Sequence, residues 1–257
     1  MDTTDLLQAI FRWIHVAAGI MWIGLLYFFN FVNGPFAATI DGPTKQKVVP
    51  ELMPRALYWF RWGAAWTWVT GVLLLMLVFW HGGLTLNAPA GWSAGPIVMI
   101  LVTFLAAVVY DALAKSGLGK DLRTFAGVGL ILVIVILIGY VRTGFSYRGY
   151  VIHTGAMFGT IMAYNVWMRI WPSQRKIITA TKQGTPPDPA VVALAGTRSR
   201  HNTYMSVPLV WTMINAHTTS FAQGQGIWTI WTLVLAIVIG WAGVYLLYSK
   251  ATTVKGF

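Results

Sequence analysis

FRWIHVAAGIMWIG, residues 11–24, decides the fold and poses the functional question. After Arg12 its only ionisable side chain is His15. The stretch lies inside an apolar run over about 6–33, and a helix needs roughly 20 such residues to cross hydrocarbon. Similar runs follow at about 56–81, 94–115, 122–143, 147–171, 203–220 and 226–249. The pattern predicts an all-α integral membrane protein, a single domain over 1–257 built as a bundle of about seven transmembrane helices. Composition agrees, with 57% of residues hydrophobic and 10% charged and a mean hydropathy of +0.65. Pro208 interrupts the sixth run and blurs its ends. The acidic opening MDTTDLLQ lacks the basic start of a secretory signal, so the first run is expected to be a retained span.

The formal charge of +11 has a topological reading. Lys45, Lys47 and Arg55 fall between the first two runs, and Lys115, Lys120 and Arg123 between the third and fourth. Arg175, Lys176, Lys182, Arg198 and Arg200 fall in the 172–202 connection, expected to be a cytoplasmic loop with a short helix near 189–196. Lys250 and Lys255 lie in the tail. The alternate connections, 82–95 and 218–226, are uncharged, and the 143–148 turn holds Arg148 with Arg142 at its edge. Positive charge collects on the cytoplasmic side, so the N-terminus is expected to be periplasmic and the C-terminus cytoplasmic. The chain then sits in a bacterial inner membrane with lipid as neighbour, and its basicity does not call for nucleic acid.

The sequence has no cysteine, which excludes disulfides, thiolate-ligated iron–sulfur clusters and covalently attached c-type haem. Its five histidines remain. On the expected topology His15, His153 and His217 fall in the outer half of separate spans, His81 at an outer exit, and His201 at the cytoplasmic mouth of the sixth span. Imidazole is the commonest metal ligand and an axial ligand of haem iron. Haem b between helices also needs small residues and cations for its propionates. Gly19 lies one turn from His15, HTGAMFGT (153–160) supplies Gly155 and Gly159 at GxxxG spacing, and Arg12, Arg142 and Arg148 lie toward the outer side. One haem held by two of His15, His153 and His217 is the simplest arrangement, and a second haem would need His201. Proton relay competes with haem. Only Asp111 is an embedded carboxylate, however, and Lys115 one turn away suggests an ion pair.

Several stretches together resemble the membrane domain of bacterial membrane-bound urate oxidases (urate hydroxylases). They are residues 11–24, WFRWGAAWTWVTG (59–71), VVYDALAKSGLGK (108–120), IHTGAMFGTIMAYNVWMRIWPSQRK (152–176) and RSRHNTYMSVPLVWTMINAH (198–217). The resemblance implies a multi-span domain, in many members followed by a periplasmic cytochrome c domain, that oxidises urate and passes electrons to the respiratory chain. It places the family's motif histidines on His15, His153, His201 and His217 and leaves out His81. No CxxCH occurs in these 257 residues, so a separate cytochrome c or other redox subunit is the expected partner. The family usually carries a glutamate at the position of Gly63 and an aromatic at that of Ala65, and TTSFAQG (218–224) also departs from its pattern.

Two functions follow. One is a haem-b oxidoreductase acting on urate or a similar reduced heterocycle, with Asn202, Arg200 and Asn215 as candidate polar contacts. The other is a non-catalytic haem-b electron-transfer or accessory subunit of a larger respiratory or photosynthetic complex, which the absent cytochrome domain and Gly63 favour. A purely structural membrane subunit is the plainest alternative.

Overall fold

The computed structural model of the chain describes residues 2–218, 220 and 226–254, and it is helical with no strand among them. Helix α1 (Thr3–Tyr27) runs through a π-helical turn, Phe28–Asn33, into α2 (Gly34–Thr39). Helix α3 (Gly42–Leu74) ends in a second π-helical turn, Leu75–His81. Helices α4 (Ala94–Lys115) and α5 (Leu122–Arg142) follow. Helix α6 (Tyr147–Asn165) passes through a π-helical turn, Val166–Ile170, into α7 (Trp171–Lys182). Helices α8 (Pro189–Asn215) and α9 (Ile230–Ala251) complete the chain.

Among the described residues five helical segments are long and apolar enough to cross a membrane: Thr3–Thr39, Gly42–His81, Ala94–Lys115, Leu122–Arg142 and Ile230–Ala251. The runs expected at 147–171 and 203–220 are helical too, on α6 and α8, but fall outside that set. The reason is visible in burial. His153, Thr154, Asn165, Asn202, Thr203, Ser206 and Thr212 are all 0% exposed, so these two helices spend apolar positions on internal polar contacts.

Two expected connections differ. Residues 34–55 carry α2 and the first turns of α3, which continues through Pro50 and Pro54. Residues 172–202 are helical except for a short break, with α8 starting at Pro189 and running on past Pro208. The Pro208 ring fits because Gly240 faces it; a Cβ on Gly240 would lie 3.0 Å from Pro208 Cδ. Asp121 caps α5 by accepting from the Thr124 N–H at 2.8 Å. Hydrogen bonding from the Thr124 side chain, then its N–H, holds this carboxyl below its ordinary value. That contribution is present at neutral pH and is lost as pH falls through the lowered value. Asp111 pairs with Lys115 at 2.7 Å, as the spacing suggested.

The chain divides into two compact units, Met1–Gly71 with Met162–Ser206 and Trp241–Phe257, and Val72–Ile161 with Val207–Gly240. In the first, α1 and α3 cross antiparallel at very close range. A Cβ on Gly63 would sit 3.3 Å from the Ala18 carbonyl oxygen and from Trp22 N and Cβ, and one on Gly19 would meet Thr67 Cγ2 at 3.7 Å. Small residues allow this approach. Gly63→Leu should therefore force the helices apart, and overpacking of this kind costs about 1–3 kcal/mol. Thermal unfolding in detergent should show a clearly lowered midpoint, with Gly24→Leu, where a side chain meets nothing within 4 Å, as the unaffected control.

Candidate functional site

The first histidine site lies on that crossing. His15 Nδ1 is 2.8 Å from the Thr67 carbonyl oxygen and 3.3 Å from Thr70 Oγ1. A carbonyl only accepts, so the proton is on Nδ1 and Nε2 carries a bare lone pair. None of the described hydrogen bonds reaches Nε2. The ring lies against Gly71, where a Cβ would come within 2.9 Å of His15 Cε1. Thr67, Thr70 and Gly71 thus form one small, polar stripe on α3 that seats and orients a single imidazole.

The second site uses the same tautomer differently. His153, 0% exposed on α6, has Nδ1 2.7 Å from the Gly149 carbonyl oxygen one turn back. Its Nε2 accepts from the indole N–H of Trp80 at 3.0 Å. Trp80 stacks on the ring at 6.3 Å between centroids, and Phe145 meets it edge-on at 5.1 Å. The Leu75–His81 π-helical turn carries Trp80, and π turns re-aim side chains in this way. Both nitrogens of His153 are satisfied by protein.

The other expected residues are placed as follows. His201 is buried on α8. His217 is exposed beyond the end of α8, and His81 is exposed at the close of its π turn. Gly155 is a contact glycine, because a Cβ there would run into Thr212 Oγ1 and Met213 Cε of α8. Gly19 likewise faces Thr67. Arg12 and Arg142 are exposed and Arg148 half-buried, and none has a hydrogen bond or ion pair among the described residues. Asn202 is spent on α6, donating to the Met162 carbonyl at 3.0 Å and accepting from Asn165 Nδ2 at 2.8 Å. Asn215 closes α8, its Nδ2 on the Trp211 carbonyl and its Oδ1 accepting from Thr218 Oγ1. Arg200 lies over the Tyr248 ring at 5.2 Å. Of TTSFAQG, residues 219 and 221–224 lie outside the described residues. Among those described, no three His, Asp or Glu side chains gather into a set able to hold a metal ion.

Sequence reasoning missed Thr67, Thr70, Gly71 and Trp80. The first three carry a signal, since positions 67, 70 and 71 share one helical face at i, i+3 and i+4. Trp80 carries none, because aromatic residues crowd span ends for interfacial reasons.

Five long apolar helical segments, with two imidazoles whose Nδ1 is set against a backbone carbonyl, mark a helical protein of membrane type. The family model described as Urate oxidase N-terminal matches residues 2–254, and the chain belongs to that family. No curated protein and no solved structure gives a match.

Replacing Trp80 by Phe keeps the ring and removes the donor. An unpaired buried acceptor costs about 1–3 kcal/mol, so Trp80→Phe should lower the unfolding midpoint.

Proposed function

We propose that the chain is the haem-b-carrying membrane part of an oxidoreductase acting on urate or a similar reduced heterocycle. It sits in a bacterial cytoplasmic membrane with its N-terminus periplasmic and C-terminus cytoplasmic, and hands electrons to a separate periplasmic cytochrome c. Family membership supports the reaction class. The alternation of basic and uncharged connections supports the orientation.

The observation that carries the haem reading is the state of His15. Metal-ligating histidines typically donate one ring N–H to a carbonyl and offer the other nitrogen, and His15 does this through Thr67. Gly71 keeps the ring in place. His15 would hold the iron through its open Nε2. Of the other family histidines, His153 has its Nε2 engaged by the Trp80 N–H, and His201 and His217 remain as further candidate ligands. When bound, haem b supplies a one-electron carrier. The protein's part is to orient the imidazole and hold its proton on Nδ1.

A specific observation supports a second reading, a haem-b relay or accessory subunit without its own substrate. Gly63 stands where the resemblance expects a glutamate, and its surroundings leave no room for one. Trp22, which packs against Gly63, has a buried indole N–H without a partner among the described residues. The carboxylate that would accept from it or handle substrate protons is gone.

Visible spectra of protein purified from its native host should show a sharp b-type α-band on dithionite reduction. His15→Ala should lose more than half of it, while His81→Ala keeps it. Appearance of the reduced band on urate alone supports the enzyme, and a haem band indifferent to urate leaves the relay. Absence of Soret absorption overturns both.

A further inference from the structure

The second compact unit contains a cleft of about 430 Å³ beside the 83–87 turn and the α5–α6 corner, within the range of small-molecule sites. Its walls are fixed by backbone. Leu86 and Phe145 form an antiparallel bridge. The Ser146 N–H donates to the Thr85 carbonyl at 2.8 Å, and the Asn87 N–H to the Gly144 carbonyl at 2.9 Å. Ser146 Oγ donates to the Leu84 carbonyl at 2.6 Å. Gly149 is needed here, because any Cβ would drive into the Thr85 carbonyl.

Among the described residues Arg148 is the single charged one lining the cleft. It is half-buried and has neither hydrogen bond nor ion pair among the described residues. A guanidinium partly withdrawn from solvent with no carboxylate beside it favours an anion. It also stands in the first turn of α6, where the helix dipole adds to the attraction. Among the remaining wall residues are Phe145 and Tyr147. Phe145 is 2% and Tyr147 8% exposed, and the Tyr147 hydroxyl has no partner among the described residues. Asn87 donates through Nδ2 to the Phe145 carbonyl at 3.3 Å, which leaves its Oδ1 as an acceptor. One cation and one amide acceptor match a small ligand with one negative charge and an N–H.

We propose that this cleft binds a small organic monoanion, with Arg148 pairing the charge and Asn87 Oδ1 accepting an N–H. The choice of probe rests on the function proposed above; the binding does not depend on haem.

The test is equilibrium dialysis of labelled urate against the full chain in detergent. Wild type should bind saturably, Arg148→Gln should weaken binding at least ten-fold, and Arg148→Lys should recover most of it. Hypoxanthine, a neutral purine of similar outline, should compete poorly, as should inorganic phosphate. Thermal unfolding checks that each variant is folded. If Arg148→Gln fails to fold, Asn87→Asp, which sets a carboxylate against the same ligand, should give a comparable loss. No saturable binding by folded wild type, undiminished binding by folded Arg148→Gln or Asn87→Asp, or equal competition by hypoxanthine or phosphate overturns the assignment. Dialysis reports binding and the haem spectrum reports the cofactor, so either proposal can fail while the other stands.

Discussion

The crossing of α1 over α3 is the constraint on which the first unit depends. Gly63 brings the helices into near-backbone contact with Ala18 and Trp22, and Thr67 meets Gly19 one turn on. His15 then closes the far end by reaching the Thr67 carbonyl. Between apolar helices an imidazole N–H without an acceptor is costly. The carbonyl it uses belongs to a helix, where a residue's C=O normally serves only the N–H four residues on. Close approach makes a second acceptance possible, and Thr70, whose hydroxyl already donates to the Trp66 carbonyl at 2.6 Å, sits beside it. A larger residue at 63 or 71 would loosen packing and imidazole together.

The two central histidines share a tautomer and differ in what holds Nε2. In His15 the lone pair is unclaimed by protein, and in His153 it belongs to Trp80. That difference leaves one lone pair open and the other engaged, whatever their similarity in the sequence. Helix α6 carries internal hydrogen-bonding groups that need partners; its Gly155 serves contact with α8, and its Gly149 makes room for the Thr85 carbonyl.

π-helical turns recur where polar groups must be aimed. The Phe28–Asn33 turn presents Asn30, which donates to Ser199 Oγ and accepts from Tyr248 Oη. The Leu75–His81 turn presents Trp80 to His153. An extra residue in a turn shifts every later side chain around the helix axis, so such turns relocate a donor without breaking the helix.

The sequence by itself determined the helical class, the main apolar segments and the family, because hydropathy, charge spacing and motif order are local properties of the chain. It also placed the Asp111–Lys115 pair, which helical spacing alone dictates. It misread 34–55 and 172–202 as connections, since proline and charge there suggested breaks that packed helices tolerate. Only the tertiary structure decided which glycines are contact glycines, that Trp80 occupies His153, and that Arg148 lines a cleft of its own. Those facts depend on which residues meet across helices far apart in the chain. Hydropathy and motif order do not encode such meetings.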